Sequence, residues 1–230
     1  MDIAGILLVD KSRGMSSHDV VNVLRHKLKI KKIGHAGTLD PEATGLLIML
    51  VSRATKLSDL FLNCEKTYDV QLTLGIKTTT ADITGDIIKK ESIPGLSDTQ
   101  VREVLNSFLG RTKQIPPMYS AKKIKGEKLY NLARKGINIP RPDQTIYIYE
   151  LKIKKINLPF IDFTVRCSKG TYIRTLCEDM GERLGYCAVM SGLRRTACGD
   201  YDIKQAITVE NIEKLNAAQL AANIISIKGI

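Results

Sequence analysis

The densest group of residues able to do chemistry runs Gly34-His35-Ala36-Gly37-Thr38-Leu39-Asp40-Pro41-Glu42-Ala43-Thr44-Gly45. The glycines in it permit positive φ or a close backbone approach. Pro41 biases Asp40 away from helix, so its carboxylate is offered from an extended or turn backbone. An ionised carboxylate so presented can attack an electrophilic carbon or stabilise developing positive charge. The stretch lacks the Gly-Lys-Ser/Thr ending of a phosphate-cradling loop. Local sequence alone also allows a plain turn with a capping Asp. A second group, Ser168-Lys169-Gly170-Thr171-Tyr172-Ile173-Arg174-Thr175-Leu176, falls where a strand gives way to a helix. If the fold brings Arg174 to Asp40, its guanidinium would keep the carboxylate ionised and aimed. A third, Pro116-Pro117-Met118-Tyr119-Ser120-Ala121-Lys122-Lys123, is a basic loop held semi-rigid by its prolines.

Hydrophobic patterning supplies the elements that must position these groups. Ile3 to Val9 and Leu46 to Val51 read as buried strands. Ser16-Ser17 can cap a helix through about Leu28, and a second helix follows near Ala54 to Leu62. Tyr68 to Leu74 alternates as a half-buried strand. Ser97 opens a helix through Leu109, with Val101, Val104, Leu105 and Phe108 at helical spacing and Gly110 closing it. Strands return at Thr145 to Ile156 and Ile161 to Cys167, and a helix runs from about Tyr172 to Leu184. Strands and helices without strict alternation imply an α+β fold around a mixed, mainly antiparallel sheet flanked by helices. Residues 111–141, with a short helix near Glu127 to Lys135, read as a basic insertion. No linker interrupts the chain, so residues 1–230 are expected to form a single domain.

Composition limits the function classes. The chain has 230 residues, 43% of them apolar and 26% charged, an ordinary globular balance. Leu46 to Val51, the longest apolar run, is far short of the roughly 20 residues that span a membrane. The start Met1-Asp2-Ile3-Ala4-Gly5 lacks a basic and then apolar leader, which points to a cytoplasmic protein. The cysteines Cys64, Cys167, Cys177, Cys187 and Cys198 have neither disulfide-framework nor zinc-site spacing, and the three histidines lie far from most of them, so no metal is expected. The net charge of +11 suggests a polyanionic partner. From Arg25 to Leu39 there is no acid, and from Arg111 to Arg141 Glu127 alone opposes a run of Lys and Arg interleaved with Tyr119 and Tyr130. Bases can stack on such tyrosines, so the partner is read as nucleic acid.

With these residues in view, the chain resembles the TruB-type tRNA pseudouridine synthases. Gly34 to Leu47, with Asp40 inside Leu39-Asp40-Pro41, resembles the family's catalytic motif. Lys66-Thr67-Tyr68 resembles its tyrosine strand, Pro116 to Lys123 its Pro-Pro-x-Tyr-Ser-Ala-x-Lys element, Ser168 to Thr175 its Lys-Gly-Thr-Tyr-Ile-Arg element, and Leu193-Arg194-Arg195-Thr196 its Leu-Arg-Arg element. The blocks occur in family order over roughly residues 3 to 210. The resemblance implies the pseudouridine synthase fold and isomerisation of uridine to pseudouridine at position 55 of the tRNA T-loop. No cofactor and no obligate protein partner are implied. It places the catalytic role on Asp40, by attack on the ribose, attack on the base, or a glycal route. Tyr68 would pack on the base, Arg174 would pair with Asp40, Leu193 would line the pocket and Lys11 would support it. Tyr172 would contact the nucleotide and His35 would fill the space an everted base leaves in the T-loop. Tyr119, Lys122, Lys123 and Arg141, within the 111–141 insertion, would clamp the T-arm.

Two departures from the family pattern stand out. Lys11-Ser12-Arg13-Gly14 replaces the usual Lys-Pro-x-Gly, keeping Lys11 and Gly14. After Gln205 only a helix and tail over 205–230 are expected, so the PUA-type C-terminal RNA-binding domain of many members is expected to be absent, with recognition resting on the T-arm. Two other readings compete with a stand-alone enzyme: an RNA chaperone for which Asp40 is dispensable, and a guide-RNA-dependent modifier with protein partners. Asp40, Tyr68 and Arg174 together favour the enzyme, because a pure binder gains nothing from a carboxylate near phosphates.

Overall fold

The computed structural model describes residues 3–120, 122–124 and 126–226. Ala121 and Lys125 of the basic insertion, Met1, Asp2 and the tail 227–230 lie outside the described residues. The chain divides into two compact units, Met1–Tyr68 with Leu193–Ile230 and Asp69–Gly192. Both passages between them fall inside regular strands, Lys66–Leu74 and Ala188–Cys198, so no Gly- or Pro-rich linker marks them in the sequence.

In the first unit, Gly5–Lys11 pairs antiparallel with Thr44–Val51, from Gly5 opposite Val51 to Lys11 opposite Gly45. On its other side it meets the short strand Ile207–Thr208 in parallel. Successive residues of the two long strands go to opposite faces, and both faces are covered. Leu7, Val9, Leu47 and Met49 pack on one side with Val20, Val21 and Leu24 of the helix Ser17–Leu28, and with Val209, Ile212 and Leu220 of two short helices, Val209–Lys214 and Ala217–Ala221, that stand where one was expected. Ile6, Leu8, Leu46, Ile48 and Leu50 pack on the other with Ala54, Phe61 and Cys198. Burial on both faces explains why these strands read as unbroken apolar runs. The Ser17–Leu28 helix starts with a capping box in which Ser16 and Asp19 satisfy each other's backbone groups.

The second unit is built on Gln144–Asn157, antiparallel to both Phe160–Cys167 and Gly110–Gln114. The order continues through residues 69–74 to the beginning of Ala188–Cys198. The helices Asp98–Asn106, with its Ser97 and Gln100 capping box, and Ile173–Arg183 bury Val101, Leu105, Leu176, Cys177 and Met180.

Several expectations are corrected. The helix expected over Ala54 to Leu62 is a 3-10 turn, Ser52–Leu57, followed by an α-helix, Ser58–Asn63. The insertion is shorter than 111–141: its first residues belong to the sheet strand Gly110–Gln114, where Gln114 is buried. Its helix covers only Leu129–Arg134, because Glu127–Lys128 pairs with Lys123–Ile124 as a short hairpin. The helix expected to run through Leu109 ends at Asn106. Among the described residues, no helix is long and apolar enough to cross a membrane.

Candidate active site

The central carboxylate sits in the connection between the strands Ile33–Ala36 and Thr44–Val51. These strands pair antiparallel only as far as Ala36 opposite Ile48. Beyond that point Arg194 and Arg195 of Ala188–Cys198 take over, pairing in parallel with Thr44 and Gly45. The connection 37–43 is released where the partner strand changes, and it carries Asp40.

Both flanks of Asp40 are anchored through the backbone. Ser17 Oγ accepts a hydrogen bond from Leu39 N at 2.9 Å and donates to Leu39 O at 3.1 Å. On the other flank Pro41 O accepts from Gly14 N at 2.9 Å and from the ammonium of Lys11 at 3.1 Å. The Lys11 ammonium also donates to Ser12 O and Met15 O, at 3.0 and 2.7 Å, and Lys11 is fully buried. Burial lowers its pKa from 10.5 to about 8, while Glu42 and Asp40 pull the other way. Ala43 N closes the turn on Asp40 O at 3.0 Å. Side-chain and backbone hydrogen bonds thus fix the approach and exit of one carboxylate, the preorganisation that a reacting group needs.

Arg195 is the floor of this loop. It is 2% exposed, with Nε donating to Leu46 O at 2.6 Å and Nη2 to Gly37 O at 3.0 Å. Gly45 has φ +103°, and a Cβ there would stand 2.2 Å from Arg195 O, so the strand change admits only glycine. Arg194 turns the other way and grips Asp10 with both guanidinium nitrogens, at 3.1 and 2.6 Å. His35, opposite Met49 on the Ile33–Ala36 strand, has Nδ1 buried without a hydrogen-bond partner. Burial, then Arg195 and His18, push its pKa down and favour the neutral imidazole. Tyr68 and Leu193 are half-buried in this same unit, on strands joined by the 3.3 Å hydrogen bond from Thr196 Oγ1 to Thr67 O.

The second unit holds the remaining candidates. Arg174 is 8% exposed; Nη1 donates to Thr80 O at 3.1 Å, Nη2 donates to Tyr119 O at 2.7 Å, and Asp82 lies 3.6 Å away. It therefore links the helix Ile173–Arg183 to the 79–86 turn and to the loop that carries Tyr119. Tyr172, the residue capping that helix, is pinned by Gln114, whose Oε1 accepts from Tyr172 N at 2.8 Å while its Nε2 donates to Tyr172 O at 3.0 Å. Lys122 donates to Gln144 Oε1 at 2.8 Å. Lys123 is exposed, Tyr119 is 36% exposed, and Arg141 is half-buried with Nε lacking a hydrogen-bond partner.

Sequence reasoning gave no role in holding the site to four residues of this framework: Ser17, read only as part of a helix cap, Gln114, Asp82, and Arg195, read only as part of the Leu-Arg-Arg element. Ser17 and Gln114 act through contacts distant in sequence, so nothing local announces them. Asp82 had a local signal, a turn-forming Thr-Ala-Asp-Ile-Thr-Gly-Asp stretch. Arg195 had one as well, the Leu-Arg-Arg element that contains it. Among the described residues, no three His, Cys, Asp or Glu side chains are grouped so as to hold a metal ion.

The sequence profile described as the TruB family pseudouridylate synthase, N-terminal domain, matches residues 25–173, and that of the tRNA pseudouridylate synthase B C-terminal domain matches residues 174–225. A tRNA pseudouridine synthase B of Alkaliphilus oremlandii is 52% identical over 92% of this chain and 70% of its own length. A tRNA pseudouridine synthase B of Opitutus terrae is 40% identical over 98% of this chain and 94% of its own. Among solved structures, the Cbf5-Nop10-Gar1 complex superposes on 92% of the chain with a TM-score of 0.72 and 28% identity, and this chain spans 54% of the matched one.

Proposed function

The chain belongs to the TruB family of pseudouridylate synthases, and from that premise we propose that it isomerises uridine 55 in the T-loop of tRNA, with Asp40 as the catalytic carboxylate. The observation that carries the assignment is the double anchoring of Asp40. Leu39 is held by Ser17, and Pro41 is held by Lys11 and Gly14. A capping aspartate of an ordinary turn needs no buried ammonium spent on its neighbour's carbonyl.

The reaction breaks the N-glycosidic bond, turns the base within the site and forms a carbon–carbon bond, without net redox change. The T-loop base must first leave its stack, at a cost of a few kcal/mol. Neutral His35 occupies the space that the base vacates. Tyr68 then packs on the everted base, Tyr172 contacts the nucleotide, and Leu193 closes the pocket. Arg174, held by Thr80 and Tyr119, is assigned the supporting cation of the reaction, the role that the family resemblance gives it. Lys122, Lys123, Tyr119 and Arg141 grip the T-arm through its phosphates, which sets affinity and salt dependence more than rate. On this reading the enzyme works in the cytoplasm on RNA alone, without a protein subunit.

The test is chemical mapping of pseudouridine in an unmodified tRNA transcript after incubation with the enzyme. Modification is expected at position 55 and nowhere else, and replacing that uridine with cytidine is expected to abolish it. Modification at another uridine, or persistence in the cytidine transcript, would contradict the assignment.

A further inference from the structure

Two tyrosines stand together on the exposed side of the second unit's sheet. Tyr147 and Tyr149 alternate with buried Ile146 and Ile148 along Gln144–Asn157 and are 44% and 43% exposed. Their ring centroids are 4.8 Å apart at 36°. From the neighbouring strand, Arg166 places its guanidinium 5.2 Å from the Tyr149 ring. On the other side, Arg111 stands opposite Tyr147 in register, and Lys113 opposite Thr145.

The charges on this face favour an anion. Three of its carboxylates sit beside a cation, Asp143 beside Lys113 at 2.8 Å, Glu150 beside Arg166 at 3.8 Å and Asp69 beside Lys154 at 2.7 Å, while Asp162 accepts from Gln71 Nε2 at 3.0 Å. Exposed Arg111 and Lys152 add further positive charge. Paired aromatic faces with a guanidinium over one of them suit unpaired bases joined by phosphates.

The patch also adjoins groups already assigned to RNA. Gln144, which begins the strand, accepts from Lys122 and donates to Gly170 O at 2.7 Å. Tyr147 N donates to Ser168 Oγ and Ser168 N to Tyr147 O, both at 2.9 Å. The tyrosines therefore continue from the 168–172 loop and the clamping lysine.

We propose that Tyr147 and Tyr149, with Arg166 and Arg111, form a stacking platform for unpaired nucleotides of the RNA substrate, beside the arm that the basic excursion grips. This rests on the tRNA reading above. Each ring takes one base and the arginines meet the phosphates. A continuous duplex offers no free base face, so the platform distinguishes single-stranded from paired flanks.

The experiment compares binding of a blunt T-arm hairpin with the same hairpin bearing about six unpaired nucleotides, a length typical of aromatic-lined grooves, at either end. The extension at one end is expected to tighten binding at least about five-fold, as stacking of one base does. The doubly substituted Tyr147→Ala/Tyr149→Ala enzyme is expected to lose that gain while binding and converting the blunt hairpin as before. Tyr147→Phe/Tyr149→Phe, which keeps the rings, should retain the gain, and Arg166→Gln should reduce it. No gain from either extension, or an equal gain in the alanine variant, overturns the platform. So does an equal loss on both hairpins, which would place the tyrosines in the main site or in folding. Failure of the unaltered enzyme to convert the blunt hairpin would instead overturn the T-loop reading, and it is read separately because the extension gain is a binding measurement.

Discussion

At the scale of single residues, Lys11 links protonation to the geometry of the loop that carries Asp40. Its ammonium holds Pro41 O, and burial lowers its pKa to about 8. In the unfolded chain it titrates near 10.5. Below pH 8 both states are protonated and the fold carries the whole cost of burying the cation. Between pH 8 and 10.5 the unfolded state binds the extra proton, so this group makes the fold more stable as pH rises. Catalysis follows the opposite course, because the neutral amine is the weaker donor and the loop bearing Asp40 loosens. We expect kcat to fall with an apparent pKa of about 8 while the thermal midpoint does not drop with it. Lys11→Met should lower kcat below pH 8 and remove that alkaline limb; the same limb in the variant would show that another group is responsible.

At the scale of elements, the helix Ser17–Leu28 has two separable duties. Leu24 packs it onto the sheet, while Ser17 at its first turn holds Leu39. Leu24→Ala is expected to cost about 2–5 kcal/mol of stability, measured by denaturant unfolding, with kcat kept in the fraction that remains folded. Ser17→Ala removes both bonds to Leu39, so a loss in kcat larger than its loss in stability is expected. Equal behaviour of the two variants would show that the helix supports the site only through general packing. This helix was legible in the sequence, because its cap and its apolar stripe are local signals. So were Gly5–Lys11 and Thr44–Val51, whose burial on both faces leaves an unbroken apolar run. Ile33–Ala36 was not, because glycine and histidine mask a four-residue strand. Gly110–Gln114 read as part of the basic loop, because Arg111 and Lys113 lie on its exposed side. The long strand Ala188–Cys198 escaped for a related reason: its arginines are satisfied by Asp10, Leu46 O and Gly37 O, partners far away in sequence. Asp40, Tyr68 and Arg174 stood out through motif resemblance, whereas the groups that hold them appeared only once the chain was folded.

At the scale of the whole molecule, the proposed function assigns recognition and chemistry to different residues. The positive charge of 111–141 is concentrated on an excursion that leaves the sheet after Gln114 and rejoins it at Gln144. Lys122→Ala combined with Lys123→Ala should weaken binding of tRNA and flatten its salt dependence by roughly one unit of slope for each phosphate no longer neutralised, with kcat at saturating tRNA little changed. An unaltered salt slope would move the clamp elsewhere on the protein. The converse separation tests the account most directly. Asp40→Asn keeps the size of the side chain and the anchored turn but removes the charge, so the variant should bind a T-arm transcript within a few-fold of the unaltered enzyme and form no pseudouridine. Product formation at a similar rate would contradict the assignment of the chemistry to this carboxylate.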